Sequence, residues 1–99
     1  MAGRKFYSKK YDLTKTKYLL AKYYALCYKE WQASDKAKAA LVEQAALETN
    51  GDFYRWILHA VTEEGVSYEY MRLVKEMPCG YLKFYEMKRK FYFLLAKKI

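Results

Sequence analysis

Few residues of this chain could do covalent or acid–base chemistry. There is one histidine, His59, two cysteines, Cys27 and Cys79, and an adjacent pair of acids, Glu63-Glu64. General acid–base work needs a base within hydrogen-bond reach of a partner, and the sequence assigns no partner acid or nucleophile to His59. A lone histidine on a helix is more often structural than catalytic. Cys27, Cys79 and His59 are too few and too scattered for a tetrahedral zinc site. Neither a phosphate-cradling glycine loop nor a nucleophile elbow occurs. Cys79 stands at a turn before a helix, a setting that lowers a thiol pKa; a buried turn residue is the preferred reading over a redox switch. The chain therefore reads as a binding protein rather than an enzyme, with no catalytic residue, metal or cofactor expected.

Binding chemistry is better represented. Nineteen Lys and Arg against eleven Asp and Glu leave a net charge of +8 on 99 residues, which points to a polyanion or an acidic membrane surface. Twelve tyrosines add flat rings with polar tips, suited to a core margin, an interface or stacking on bases. Eight of the nineteen cations lie in Ser67 to Ile99, SYEYMRLVKEMPCGYLKFYEMKRKFYFLLAKKI, the stretch around which the binding reading is built.

That stretch reads as a short helix, a tight turn at Met77-Pro78-Cys79-Gly80 and a long basic amphipathic helix. Ser67 is placed as N-cap, with Glu69 in the first turn where the helix dipole favours an anion. Pro78 pushes Met77 out of the α region, so the short helix is expected to stop by about Glu76. Gly80 is expected to supply irregular backbone angles at the restart. Phe84, Met87, Phe91, Leu94 and Leu95 then recur at helical spacing, leaving Lys83, Glu86, Arg89, Lys90 and Lys97 largely off the apolar stripe.

Elements upstream must hold this pair in place. Residues 1–10 are basic and aromatic without a period and read as an arm, whose Arg4, Lys5, Lys9 and Lys10 suit a phosphate backbone. Residues 11–50 form an N-terminal helical pair. From Leu13 to Gln32 the residues Leu13, Leu20, Tyr24, Cys27 and Trp31 share one face, on an apolar arc wide enough to include an oligomer interface. Ala33-Ser34-Asp35 offers a cap for an Ala-rich helix through Ala37, Ala40, Leu41, Gln44, Ala45 and Leu47, stopped at Asn50-Gly51. Asp52 is read as the cap of a helix with Phe53, Trp56, Ile57, Ala60 and Val61 at i, i+3, i+4, i+7, i+8, ended by Gly65. No strand-like alternation or internal repeat is evident. The expected fold is one all-α domain of about five helices, the last three, in residues 52–99, forming a helix-turn-helix.

Residues 52–99 resemble the helix-turn-helix of sigma-factor region-four-like transcriptional regulators of phages and mobile elements in Gram-positive bacteria. The resemblance rests on a helix ending in Glu-Gly, then Ser67-Tyr68-Glu69-Tyr70-Met71, the turn Met77-Pro78-Cys79-Gly80, and Phe84-Tyr85 followed by Lys88-Arg89-Lys90-Phe91. This chain has Arg72 where the family usually has a small residue, Glu76 where it often has Gly, and the apolar Leu73-Val74 where polar side chains are common. The resemblance implies that the last helix enters a major groove by its first turns. Tyr81, Lys83 and Glu86 are then candidates for base edges, because Lys can donate to guanine and Glu can accept from cytosine. Lys88, Arg89 and Lys90 are candidates for phosphates, together with Arg4 and Lys5 of the arm.

The function expected is that of a DNA-binding transcriptional regulator, with double-stranded DNA as partner, RNA polymerase as a further one, and a homodimer through the first helix as an option. The alternative is a helical adaptor whose Tyr-rich first helix meets a protein. Docking of the last helix on an acidic membrane is less attractive, since the core needs its aromatic stripe. With no signal-peptide-like or membrane-spanning run and two cysteines that make no disulfide framework, the expected location is the cytoplasm.

Overall fold

The computed structural model describes residues 11 and 13–99, which fold as six helices with no strand among them. The basic arm, with Arg4 and Lys5, lies outside the described residues. The helices are α1 Lys15–Leu26, α2 Tyr28–Ser34, α3 Lys36–Thr49, α4 Tyr54–Thr62, α5 Tyr68–Leu73 and α6 Tyr81–Lys98.

Local capping accounts for several boundaries. Thr14 Oγ1 accepts from the Lys17 N–H at 3.2 Å, Asp35 Oδ1 from Lys38 at 3.2 Å, and Ser67 Oγ from Tyr70 at 3.1 Å. Each relieves one of the orphan N–H groups of a first turn. Asp52 is not the cap expected of it. Phe53 holds the N-cap position of α4 without a side-chain bond, while the Asp52 N–H donates to Asn50 Oδ1 at 2.9 Å, which closes the α3–α4 turn. The single helix expected through Leu13 to Gln32 is divided at Cys27, which links α1 to α2.

Packing turns the two N-terminal helices away from the faces their large side chains suggest. On α1 the buried residues are Ala21 and Ala25, followed by Tyr28 and Trp31 on α2; Leu20, placed on the inner face by its spacing, is 41% exposed. On α3 the buried set is Ala39, Val42, Ala45, Ala46 and Thr49, while Ala37 and Leu47 face outward. Methyl-sized side chains let α1 and α3 come close to α6, which both of them pack against. A bulky residue at these crossings would hold the backbones apart.

Two buried clusters result. The larger joins Ala21, Ala25, Val42, Ile57, Phe91 and Leu95 with their neighbours, and the smaller holds Ala60, Met71, Met77 and Phe84. α6 runs through both, as does α4 by its Ile57 and Ala60 faces. The smaller cluster seats α5 and the connection after it, and two hydrogen bonds add to it. Trp56 Nε1 donates to the Lys75 carbonyl at 3.0 Å, and the Tyr68 hydroxyl donates to the Cys79 carbonyl at 3.1 Å.

The α5–α6 connection is longer than a compact helix-turn-helix, which uses three or four residues. α5 stops at Leu73, earlier than Pro78 alone requires, and Val74 to Gly80 form the link. The Met77 N–H reaches back to the Met71 carbonyl at 3.1 Å. The left-handed residue that reverses the chain is Glu76, at φ 55°, and not Gly80, whose φ of −83° suits any residue. A side chain in the left-handed region costs about 1–2 kcal/mol, part of which glycine gives back as lost chain entropy. Glu76→Gly is therefore expected to raise stability by about 1 kcal/mol, read as a higher urea midpoint at unchanged slope.

Tyr28 makes a second local prediction. Burial, then its bond to the Glu43 carboxylate, pushes this phenol up to about 12. An unfolded tyrosine loses its proton near pH 10, so between about pH 10 and 12 the unfolded chain binds fewer protons and stability falls as pH rises. Tyr28→Phe is expected to flatten that alkaline loss in melts across the same window.

Candidate nucleic-acid interface

The residues named for DNA contact lie mostly on α6, so the geometry of this helix decides which of them can meet a ligand. Phe84, Met87, Phe91 and Leu95 are buried at the i, i+3, i+7, i+11 spacing expected of them. At about 100° per residue, the side opposite that stripe carries Leu82, Glu86 and Phe93, with Arg89 on one flank and Lys83, Lys90 and Lys97 on the other. Lys83, Glu86 and Lys97 are exposed, and Arg89 and Lys90 are half-buried. None of these five makes an ion pair with a described residue; the lysines that do are Lys29, Lys38 and Lys98.

Aromatic rings set the poses of two cations. The Lys83 ammonium lies 4.8 Å from the centre of the Phe53 ring, and that of Lys97 lies 4.5 Å from the centre of Phe93. Contacts of this kind hold a charge at the surface without neutralising it. Tyr81, 57% exposed, opens the helix and packs edge-on against Tyr68 at 5.7 Å and Tyr85 at 4.8 Å. Its ring thus leans towards the start of α5.

Lys88 does not join the ridge. It follows Phe84 by one turn and shares a side with Phe91 and Leu95, so it points inward, half-buried, with its ammonium 5.5 Å from the Phe84 ring centre and 5.6 Å from that of Tyr85. Burial, with Lys22 nearby, pulls its pKa below the usual lysine value. As a phosphate contact it is withdrawn, and the spacing from Phe84 was the sign available. Lys97, not named for DNA contact, stands on the ridge two turns beyond Lys90. No family model, curated protein or solved structure matches the chain. The site is thus characterised by its own geometry.

The neighbourhood of the ridge is apolar to an unusual degree. Leu82 is 81% exposed and Leu73 71%, with Val74 close in sequence to Leu73 and also open. A shallow groove lined by Tyr68, Arg72, Leu73, Glu76 and Pro78 runs beside the turn. Exposure of this kind is invisible to a periodicity argument, which marks Leu and Val as candidates for burial.

The groups with reactive potential are elsewhere and occupied. His59 Nδ1 is 3.2 Å from Glu63 Oε2, its ring stacks on Tyr70 at 5.9 Å, and its Nε2 is buried with no hydrogen-bond partner among the described residues. Glu63 also binds Lys29 at 2.9 Å, and this bond holds its carboxyl below the usual range. Burial pushes the Cys79 thiol up against the opposing pull of Lys83, which disfavours the reactive thiolate. No group of three His, Cys, Asp or Glu among the described residues could hold a metal ion, and no helix there is long and apolar enough to cross a membrane.

Proposed function

We propose that the chain binds double-stranded DNA through the outer face of α6 and regulates transcription. One observation carries the reading: Lys83, Arg89, Lys90 and Lys97 line the outer side of a helix anchored by its opposite face, and no carboxylate among the described residues pairs with them. From Lys83 to Lys97 such a ridge spans about 21 Å at 1.5 Å per residue. That is enough to meet phosphates on both walls of a major groove about 12 Å wide. Cations on both flanks of Glu86 would set the register on the backbone, and Tyr81, Lys83 and Glu86 would meet base edges. Arg4 and Lys5 of the arm would add phosphate contacts.

The resemblance to sigma-factor region-four-like regulators supports the same reading, with RNA polymerase as a further partner and a phage or mobile element as the setting. The chain would then act in the cytoplasm. Titration of a labelled random duplex at two salt concentrations tests the proposal. Counterion release makes log affinity fall by about 0.9 per phosphate for each unit of log salt, so a slope of roughly −4 to −6 is expected. A flat response would overturn it.

A second reading has its own observation. Leu19, Leu20 and Tyr23 lie exposed on α1, away from the buried Ala21 and Ala25. This patch suits a helical adaptor, or a homodimer that would pair two α6 ridges. Light scattering separates the two: a dimeric mass favours the homodimer, and a monomer leaves the face to another protein.

A further inference from the structure

Among α1, α4 and α6 lies a cavity of about 250 Å³ that the DNA reading does not use. Lys22 of α1 and Lys88 and Tyr92 of α6 line it, with Glu63 and Glu64 just past the end of α4. Lys88 is the lysine that turned inward. An ammonium offers three N–H donors, and this one makes no hydrogen bond or ion pair with a described residue. The faces of Phe84 and Tyr85 offset part of its lost hydration, but they supply no oxygen to receive those protons. The neighbouring charge that acts on it is a second cation, Lys22.

Tyr92 adds a neutral donor. The residue is only 6% exposed and lines the same cavity, and its hydroxyl has no hydrogen-bond partner among the described residues. Burial raises its pKa, so it stays protonated. Glu63, a carboxylate of the same lining, is held by Lys29 and His59. Two lysines and a hydroxyl therefore meet at one cavity with donors to spare, and neither Glu63 nor Glu64 makes an ion pair with either lysine.

We propose that this cavity binds a small oxyanion of the phosphate class, held by Lys88 and Lys22 with the Tyr92 hydroxyl as a further donor. Its volume lies just below the usual range for small-ligand pockets, about 300–1,000 Å³, which suits a phosphoryl group with little attached. Lys88 faces away from the α6 ridge, so this site is separate from it and does not depend on DNA binding.

Calorimetric titration with inorganic phosphate, and in parallel with glycerol phosphate, tests this at constant ionic strength. Saturable one-to-one binding of at least one of them is expected, and the tighter of the two tells free phosphate from a phosphate ester. Lys22→Gln, at an exposed position, is expected to weaken binding about tenfold, the worth of one charge-assisted hydrogen bond. Lys88→Met keeps the stem and is expected to abolish it. The Lys83, Arg89 and Lys90 alanine variant is expected to bind as the parent does. Absence of saturable binding by the parent overturns the proposal, as does unchanged affinity in Lys22→Gln or in folded Lys88→Met. Loss of binding in the ridge variant would also overturn it, by moving the anion to the outer face.

Discussion

Replacing Lys83, Arg89 and Lys90 together by alanine is expected to weaken binding to random duplex roughly 500-fold at about 0.1 M salt. Each neutralised phosphate contributes about 0.9 to the log–log salt slope, so at 0.1 M each is worth nearly a factor of ten, and three multiply. The same variant should lower the magnitude of the slope by about 2.7. All three side chains lie off the buried stripe of α6, and alanine is the best helix former. Far-UV circular dichroism should therefore be unchanged. Lys88→Met serves as the contrast: its ammonium faces the interior, so its removal should leave the salt slope alone. An unaltered affinity in the triple variant would sink the DNA reading and favour the exposed α1 face as the working surface.

Phe91→Ala is expected to cost about 3–5 kcal/mol of stability, the usual range for emptying a buried aromatic position. Phe91 is fully buried within the larger cluster, in the middle of the helix that runs through both. A domain of this size has about 5–15 kcal/mol in hand and loses about 4–8 °C of melting temperature per kcal/mol. The variant should melt at least about 12 °C lower. Phe84→Ala removes an equal ring from the smaller cluster. It should loosen α5 and its connection more than the α1–α3–α6 contact, which amide exchange would report as faster exchange from α5. A melt of Phe91→Ala within a few degrees of the parent would mean that α6 is not the central element.

The legible features were those set by local physics. All-helical character follows from apolar spacing without strand alternation, and the caps at Ser67 and Asp35 follow from side chains that accept an N–H one turn on. The stripe Phe84, Met87, Phe91 and Leu95 follows from one face of one helix having to leave water. The expected count of about five helices is close to the six found, and the difference is the division of the first at Cys27. The misplaced cap at Asp52 is a competition between two side chains of one turn, in which Asn50 took the N–H.

Features that depend on approach between helices were not legible. Nothing within α1 says that Ala21 and Ala25 outrank Leu19 and Leu20 for the interior; the preference arises because α6 lies against α1 and the smaller side chains allow it closer. The left-handed turn fell on Glu76 while a glycine stood four residues on, because the Met71–Met77 hydrogen bond and the smaller cluster determine where the chain reverses. Lys88 belongs to the same class. Sequence alone determined a basic helical protein with an aromatic-anchored last helix, since composition and periodicity act residue by residue. Tertiary packing decided which cations reach solvent and which one turns into a cavity beside Lys22, because exposure belongs to the assembled surface and not to any one helix.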